Sequence, residues 1–137
     1  MIVADTGAIL ALIDADDHHH HALRALFEEQ PEAWILPWAV LPEVDYLLAT
    51  QLGPKAERLF VADLAAGTYR IEWGHDRDFE RAHEISTRYR ALKLGLVDAS
   101  VIAVAERLGA GAIATLDLRH FGPVAIKGQP KLLPRDL

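Results

Sequence analysis

The sequence predicts an α/β fold, a mostly parallel sheet with helices on both faces, and three observations carry that reading. Short β-rich apolar runs alternate with longer stretches whose apolar residues recur at helical spacing. Such alternation implies right-handed crossovers between parallel strands, with helices covering the sheet on each side. The chain has 137 residues, 51% of them hydrophobic, with no internal repeat, low-complexity tract or long linker. That suits one compact core, so residues 1–137 read as a single domain.

Each element has its own justification. MIVAD (1–5) is a β-rich run ending on a polar residue, hence a strand. TGAILALID (6–14) continues as a helix with Thr6 in the N-cap position. Asp17 is placed to cap a second helix, whose apolar stripe is Leu23, Leu26 and Phe27. WILP (34–37) is the second strand. AVLPEVDYLLATQL (39–52) is a helix with Pro42 in its first turn, and Gly53-Pro54 separates it from another, KAERLFVADLAAG (55–67). YRIEW (69–73) alternates like a strand, and DFERAHEISTRYRALK (78–93) is helical. VDASVIAVAERLG (97–109) is a strong helix stopped by Gly109. GAIATLD (111–117) is a buried strand running into a loop, and VAIK (124–127) is the last short strand.

Composition narrows the function. The apolar runs are too short to cross a bilayer, so no membrane partner is expected. Asp5 and the lack of a basic residue before it argue against a signal peptide. No cysteine is present, which excludes disulfides and thiolate metal sites and makes the cytoplasm the expected compartment. The net charge of −6 is uneven: residues 1–45 hold nine acids against one base, and the other 92 residues hold thirteen bases and eleven acids. A protein that binds nucleic acid by electrostatics alone is uniformly basic. A polyanionic substrate would therefore need positive charge from elsewhere, which a bound divalent cation supplies.

The run DADDHHHH (14–21) is the most conspicuous metal-like motif and the weakest. Successive helical residues turn by about 100°, so four adjacent histidines fan outward and cannot converge on one ion. Only His18 and His21 share a face. The run reads as the solvated first turn of a helix capped by Asp17.

Four scattered acids carry more information. Asp5 ends the first strand, Glu43 follows Pro42 in a helix's first turn, Asp98 opens a helix on its buried stripe, and Asp117 follows the strand AIATL. Singly, each is explained by the helix dipole or by turn chemistry. In a parallel α/β sheet, however, strand ends and the following helix starts gather at one edge. Four acids there repel one another unless a cation neutralises them. All-oxygen ligands without cysteine favour Mg²⁺ or Mn²⁺ over zinc, and such an ion activates water and steadies a transferring phosphoryl group. The residues thus point to metal-dependent phosphodiester hydrolysis.

Around these acids the chain resembles the PIN-domain nucleases, in particular the VapC-type toxins of toxin–antitoxin pairs. The resemblance rests on IVADTGAILALIDADD, LPEVDYLL, GLVDASVIAVAERLG and IATLDLRHF, in family order and at family spacing over nearly the whole chain. It implies an α/β/α sandwich, a Mg²⁺- or Mn²⁺-dependent endoribonuclease, and an antitoxin protein that blocks the site. It also implies a homodimer through the helices near 40–66. The family's acidic quartet falls on Asp5, Glu43, Asp98 and Asp117. Asp5, Asp98 and Asp117 would hold the ion, with Glu43 completing its shell or orienting the attacking water. Thr6, Thr115 and Ser100 are expected in support. RNA contacts are expected from Arg88, Arg90 and Lys93, from Arg119, and from His120, which stands where many relatives place a further acid. Trp34, Trp38 and Trp73 are expected in the core or an interface. Other phosphoryl-handling folds fit less well: Gly7 stands where a haloacid-dehalogenase-type phosphatase needs a second aspartate, and the acid and late-lysine pattern of a receiver domain is missing. A catalytically silent PIN-fold binding module is the alternative.

Overall fold

The computed structural model describes residues 1–137. Its sheet contains β1 (Ile2–Ala4), β2 (Trp34–Pro37), β3 (Arg70–Glu72), β4 (Ala112–Ala114) and β5 (Lys131–Leu133). The order is β3-β2-β1-β4-β5 with every pair parallel, so the sheet is parallel throughout. Seven helices accompany it: α1 (Thr6–Ile13), α2 (His20–Glu29), α3 (Val40–Gln51), α4 (Pro54–Ala65), α5 (Asp76–Arg88), α6 (Leu96–Leu108) and the short α7 (Leu118–Phe121). None is long and apolar enough to cross a membrane.

Handedness explains the layers. The crossovers from β1 to β2 and from β2 to β3 supply α1 to α4, in which α1 packs on α2 and α3, and α3 on α4. The return from β3 to β4 must pass back over β2 and β1, so right-handed connection puts α5 and α6 on the opposite face. Accordingly α5 packs on α6, and α6 lies against β1 and β2. Strands covered on both faces need apolar residues throughout, and β2 and β4 are buried along their whole length. Gly109 adopts the left-handed conformation (φ 61°) and ends α6, as its position after the apolar stripe predicts.

Several boundaries differ from the sequence expectation. Asp5, not Thr6, is the N-cap of α1: its backbone is extended and its carbonyl accepts the first helical bond from Ile9 N–H at 3.2 Å. The N-cap of α2 is His19. Asp17 instead accepts from His19 N–H at 2.8 Å in the preceding turn, so His18 and His21 do not share a helical face. The predicted helix over 78–93 divides into α5 and a 3₁₀ turn at Arg90–Leu92, closed by Lys93 at φ 56°. VAIK is not a strand. Val124 and Ile126 bury their side chains, but the Ile126 and Gln129 amides bond locally to the Val124 and Ile126 carbonyls. The last strand is β5, whose start is held by Lys131 N–H on Gly111 O at 2.9 Å. Of the tryptophans, Trp34 is core, Trp38 is half-buried against Phe79, and Trp73 is 74% exposed and takes no part in the core.

Candidate active site: a cluster of unmatched carboxylates

The strand order reverses at β1, because the chain builds β2 and β3 on one side of it and β4 and β5 on the other. Such a switch point opens a crevice beyond the carboxyl ends of the central strands. Here the crevice is a cleft of 410 Å³, lined by Asp5, Glu43, Asp98 and Asp117 among others. The four acids predicted from sequence are therefore brought together.

Local folding fixes each one. Asp5 is held from both directions: its N–H donates to Ala114 O at 2.8 Å, extending the sheet ladder, while its carbonyl starts α1. Thr115 Oγ1 donates to Asp5 Oδ2 at 3.0 Å and accepts from Asp117 N–H at 3.1 Å. One buried hydroxyl thus connects the ends of β1 and β4. Asp117 caps α7 by accepting from His120 N–H at 3.2 Å. Glu43 lies in the first turn of α3 and Asp98 in the first turn of α6, where the helix dipole favours an anion.

The electrostatics are unfavourable as they stand. Burial pushes the Asp5 carboxyl up to about 7, with the charge of Asp98 as the second cause and the Thr6 and Thr115 hydrogen bonds opposing it. Asp98 is also raised, first by burial, and His120 partly offsets this. No lysine or arginine pairs with any of the four. The nearest basic group is His120, whose Nδ1 lies 2.9 Å from both Asp98 Oδ2 and Asp117 Oδ2, without the alignment of an N–H···O hydrogen bond. Asp98, Asp117 and His120 bring ligand atoms within 4.8 Å of one another. The histidine run at 18–21 joins no such set.

Other expected residues fall differently. Thr6 lines the cleft, buried, and its Oγ1 has no hydrogen-bond partner. Ser100 is buried in α6 but does not line the cleft. Arg88, Arg90, Lys93 and Arg119 are exposed and lie outside the cleft wall, Arg88 stacking on Tyr89 at 5.3 Å. His120 is half-buried within the acidic cluster, not presented on the surface. Sequence reasoning missed the apolar wall formed by Leu10, Leu47 and Leu116. A signal existed for two of them: Leu10 and Leu47 are one helical turn beyond Thr6 and Glu43, hence on the same faces.

The donor set suits a hard divalent cation. Its oxygens are unmatched, the buried Thr6 hydroxyl is unpartnered, and a cation would offset the burial and the mutual repulsion that raise Asp5 and Asp98.

Comparison with known proteins agrees with this architecture. The PIN domain family profile matches residues 2–126. Ribonuclease VapC26 of Mycobacterium tuberculosis is 33% identical over 120 residues, which cover 88% of this chain and 89% of that protein. Among solved structures, VapC20 of M. tuberculosis, a Sarcin-Ricin loop cleaving toxin, is similar with a TM-score of 0.74 at 26% identity, over 82% of this chain and 87% of that one. VapBC2 of Rickettsia felis, solved with a DNA fragment from their promoter, shares the fold with a TM-score of 0.71 at 15% identity, over 96% and 97% of the two chains. With its parallel sheet, its switch-point acids and these relatives, the chain belongs to the PIN domain family, among its VapC-type members.

Proposed function

We propose that the chain is a metal-dependent endoribonuclease, the toxin of a VapBC-type toxin–antitoxin pair, acting from the switch-point cleft with Mg²⁺ or Mn²⁺. The observation that carries this is the gathering of four carboxylates without a matching lysine or arginine at the mouth of a parallel sheet. Similarity to ribonuclease VapC26 supports RNA as substrate. Asp5, Asp98 and Asp117 would hold the cation, with Glu43 completing its shell or orienting the attacking water. A divalent ion bound there would supply a water of lowered pKa and positive charge for the scissile phosphate. Thr115 keeps the Asp5 oxygen in place, His120 stands between Asp98 and Asp117, and the leucine wall limits water in the cleft. Arg88, Arg90, Lys93 and Arg119 hold the RNA backbone outside it.

The partners follow from the same reading. An antitoxin protein covers the cleft, as the VapBC2 likeness suggests. A homodimer forms through α3 and α4, where Tyr46, Leu59 and Val61 are exposed. Residues 1–137 act as one domain, in the cytoplasm.

The test is cleavage of a mixed RNA pool by the purified, partner-free chain and by Asp5→Asn, with Mg²⁺, Mn²⁺ or EDTA. Metal-dependent cleavage that vanishes in the variant is expected. Equal cleavage by both proteins would sink the assignment. Metal binding without cleavage of any RNA would favour a silent binding module.

A further inference from the structure

A second cavity opens beside the acidic cleft and shares a wall with it. It has a volume of 330 Å³ and is lined by His19, Thr115, Leu116, Leu118, Pro134 and Arg135. Leu116 lines both cavities, and Thr115 is the residue whose hydroxyl bonds Asp5. The register explains the adjacency. Ala114 pairs with Leu133, so the chain leaves β4 into Thr115–Leu116 beside the point where it leaves β5 into Pro134–Arg135. Neighbouring strands are about 4.8 Å apart, which places Pro134–Arg135 two strands, or roughly 10 Å, from the end of β1 and Asp5.

The lining has the chemistry of a nucleobase pocket. Leu116, Leu118 and Pro134 offer flat apolar walls. The rim carries an imidazole, His19, and a guanidinium, Arg135, both of which stack on bases and hydrogen-bond their edges. Arg135 is already oriented: its Nε and one Nη hold Asp136 at 2.7 and 2.9 Å, leaving Nη1 free. The backbone of His19 is held by Asp17, which accepts its N–H, and its ring packs edge-on against His18. A partly apolar recess whose one charged group, the Arg135 guanidinium, is already paired with Asp136 is poorly suited to a second metal and suited to the uncharged base of the nucleotide adjoining a phosphate held in the cleft.

We infer that this cavity is a nucleotide subsite, in which His19 and Arg135 contact the base next to the scissile phosphate and help to choose where the RNA is cut. The inference rests on the ribonuclease reading and names its specificity determinants. It also gives a function to one member of the histidine run.

The test uses the full chain. Fluorescence anisotropy with short single-stranded RNAs in EDTA, where no cleavage is expected, is read for wild type, His19→Ala, Arg135→Ala and Arg135→Lys. Sequencing of the ends made from a random RNA pool is read in parallel. Both positions are outside the core, and circular dichroism checks each fold. Expected are about tenfold weaker RNA binding in Arg135→Ala, partial rescue by lysine, and a flattened base preference at one position beside the cut in both alanine variants. Unchanged binding and an unchanged cut profile overturn the subsite. So does a loss confined to binding of a partner protein, which would make the cavity a protein-docking surface. If wild type binds RNA but never cuts it, the ribonuclease reading fails and the subsite falls with it; if wild type cuts and the two alanine variants cut with the same profile, the subsite alone fails.

Discussion

Two groups of carboxylates are sheltered in this fold, and they have opposite surroundings. On the α5–α6 layer, Arg107 reaches Asp78 and Glu72 at 2.8 Å each, and Arg81 holds Glu106 at 2.7 Å. Burial pushes Asp78 and Glu106 upward, yet their arginine hydrogen bonds outweigh it and both end below the ordinary carboxylate range. At the sheet edge burial acts alike, no arginine answers it, and Asp5 and Asp98 end above that range. The presence or absence of an arginine partner, with burial acting in the same direction on both groups, separates architecture from function. Acids enclosed with their own counter-ions hold helices together; acids enclosed without them are left to take up a proton or a cation from outside.

Removing an unmatched acid has the largest expected effect. Asp5→Asn keeps an oxygen for the Thr115 hydroxyl but loses the charge, so RNA cleavage should fall by on the order of 10³-fold. Single-turnover kinetics on a labelled RNA measure it, and residual cleavage near wild type would break the contrast.

The next effect is on stability. A carboxyl raised to about 7 in the fold and near 4 when unfolded binds more protons folded than unfolded between those values. Metal-free stability should therefore decline as pH rises from about 4 to about 7 and then level off, by on the order of 4 kcal/mol. In Asp5→Asn that slope should be largely lost and the metal-free protein should be more stable at pH 8. Urea unfolding in EDTA at several pH values tests this, and a stability that climbs through the window contradicts it.

The matched group should behave in reverse. Arg107→Ala leaves Asp78 buried and unpaired and should cost about 3 kcal/mol in urea unfolding. Cleavage per folded molecule should be unchanged; a specific loss of activity would place this network in the site after all. Smallest is Thr115→Val, which removes the hydroxyl between Asp5 and Asp117. Metal affinity by calorimetry should weaken about tenfold with little loss of stability.

Much of this is legible in sequence. The strand ends and helix starts that carry Asp5, Glu43, Asp98 and Asp117 have local signatures, and the logic of a parallel sheet brings them together. What is not legible depends on distant partners. Strand β5 is three residues whose identity comes from pairing with β4, while VAIK has the better β propensity and spends its amides on local carbonyls and on the side chains of Tyr89 and Glu106. The insertion of His120 between two aspartates follows from the short helix that Asp117 caps. Arg107 finds Asp78 and Glu72 across 29 and 35 residues, and nothing local marks that pairing. Trp73 looks like a core residue by type and is placed outside the core by the end of β3.

The hydroxyl bridge from Thr115 to Asp5 joins residues 110 positions apart. Acids that need the first strand and the fourth together have no arrangement on a growing chain. While the ribosome still holds the segment around residue 117, the N-terminal part is only an acidic peptide. Contacts of such long range also form late and slowly in folding. Synthesis and folding must therefore be almost complete before the four acids are assembled.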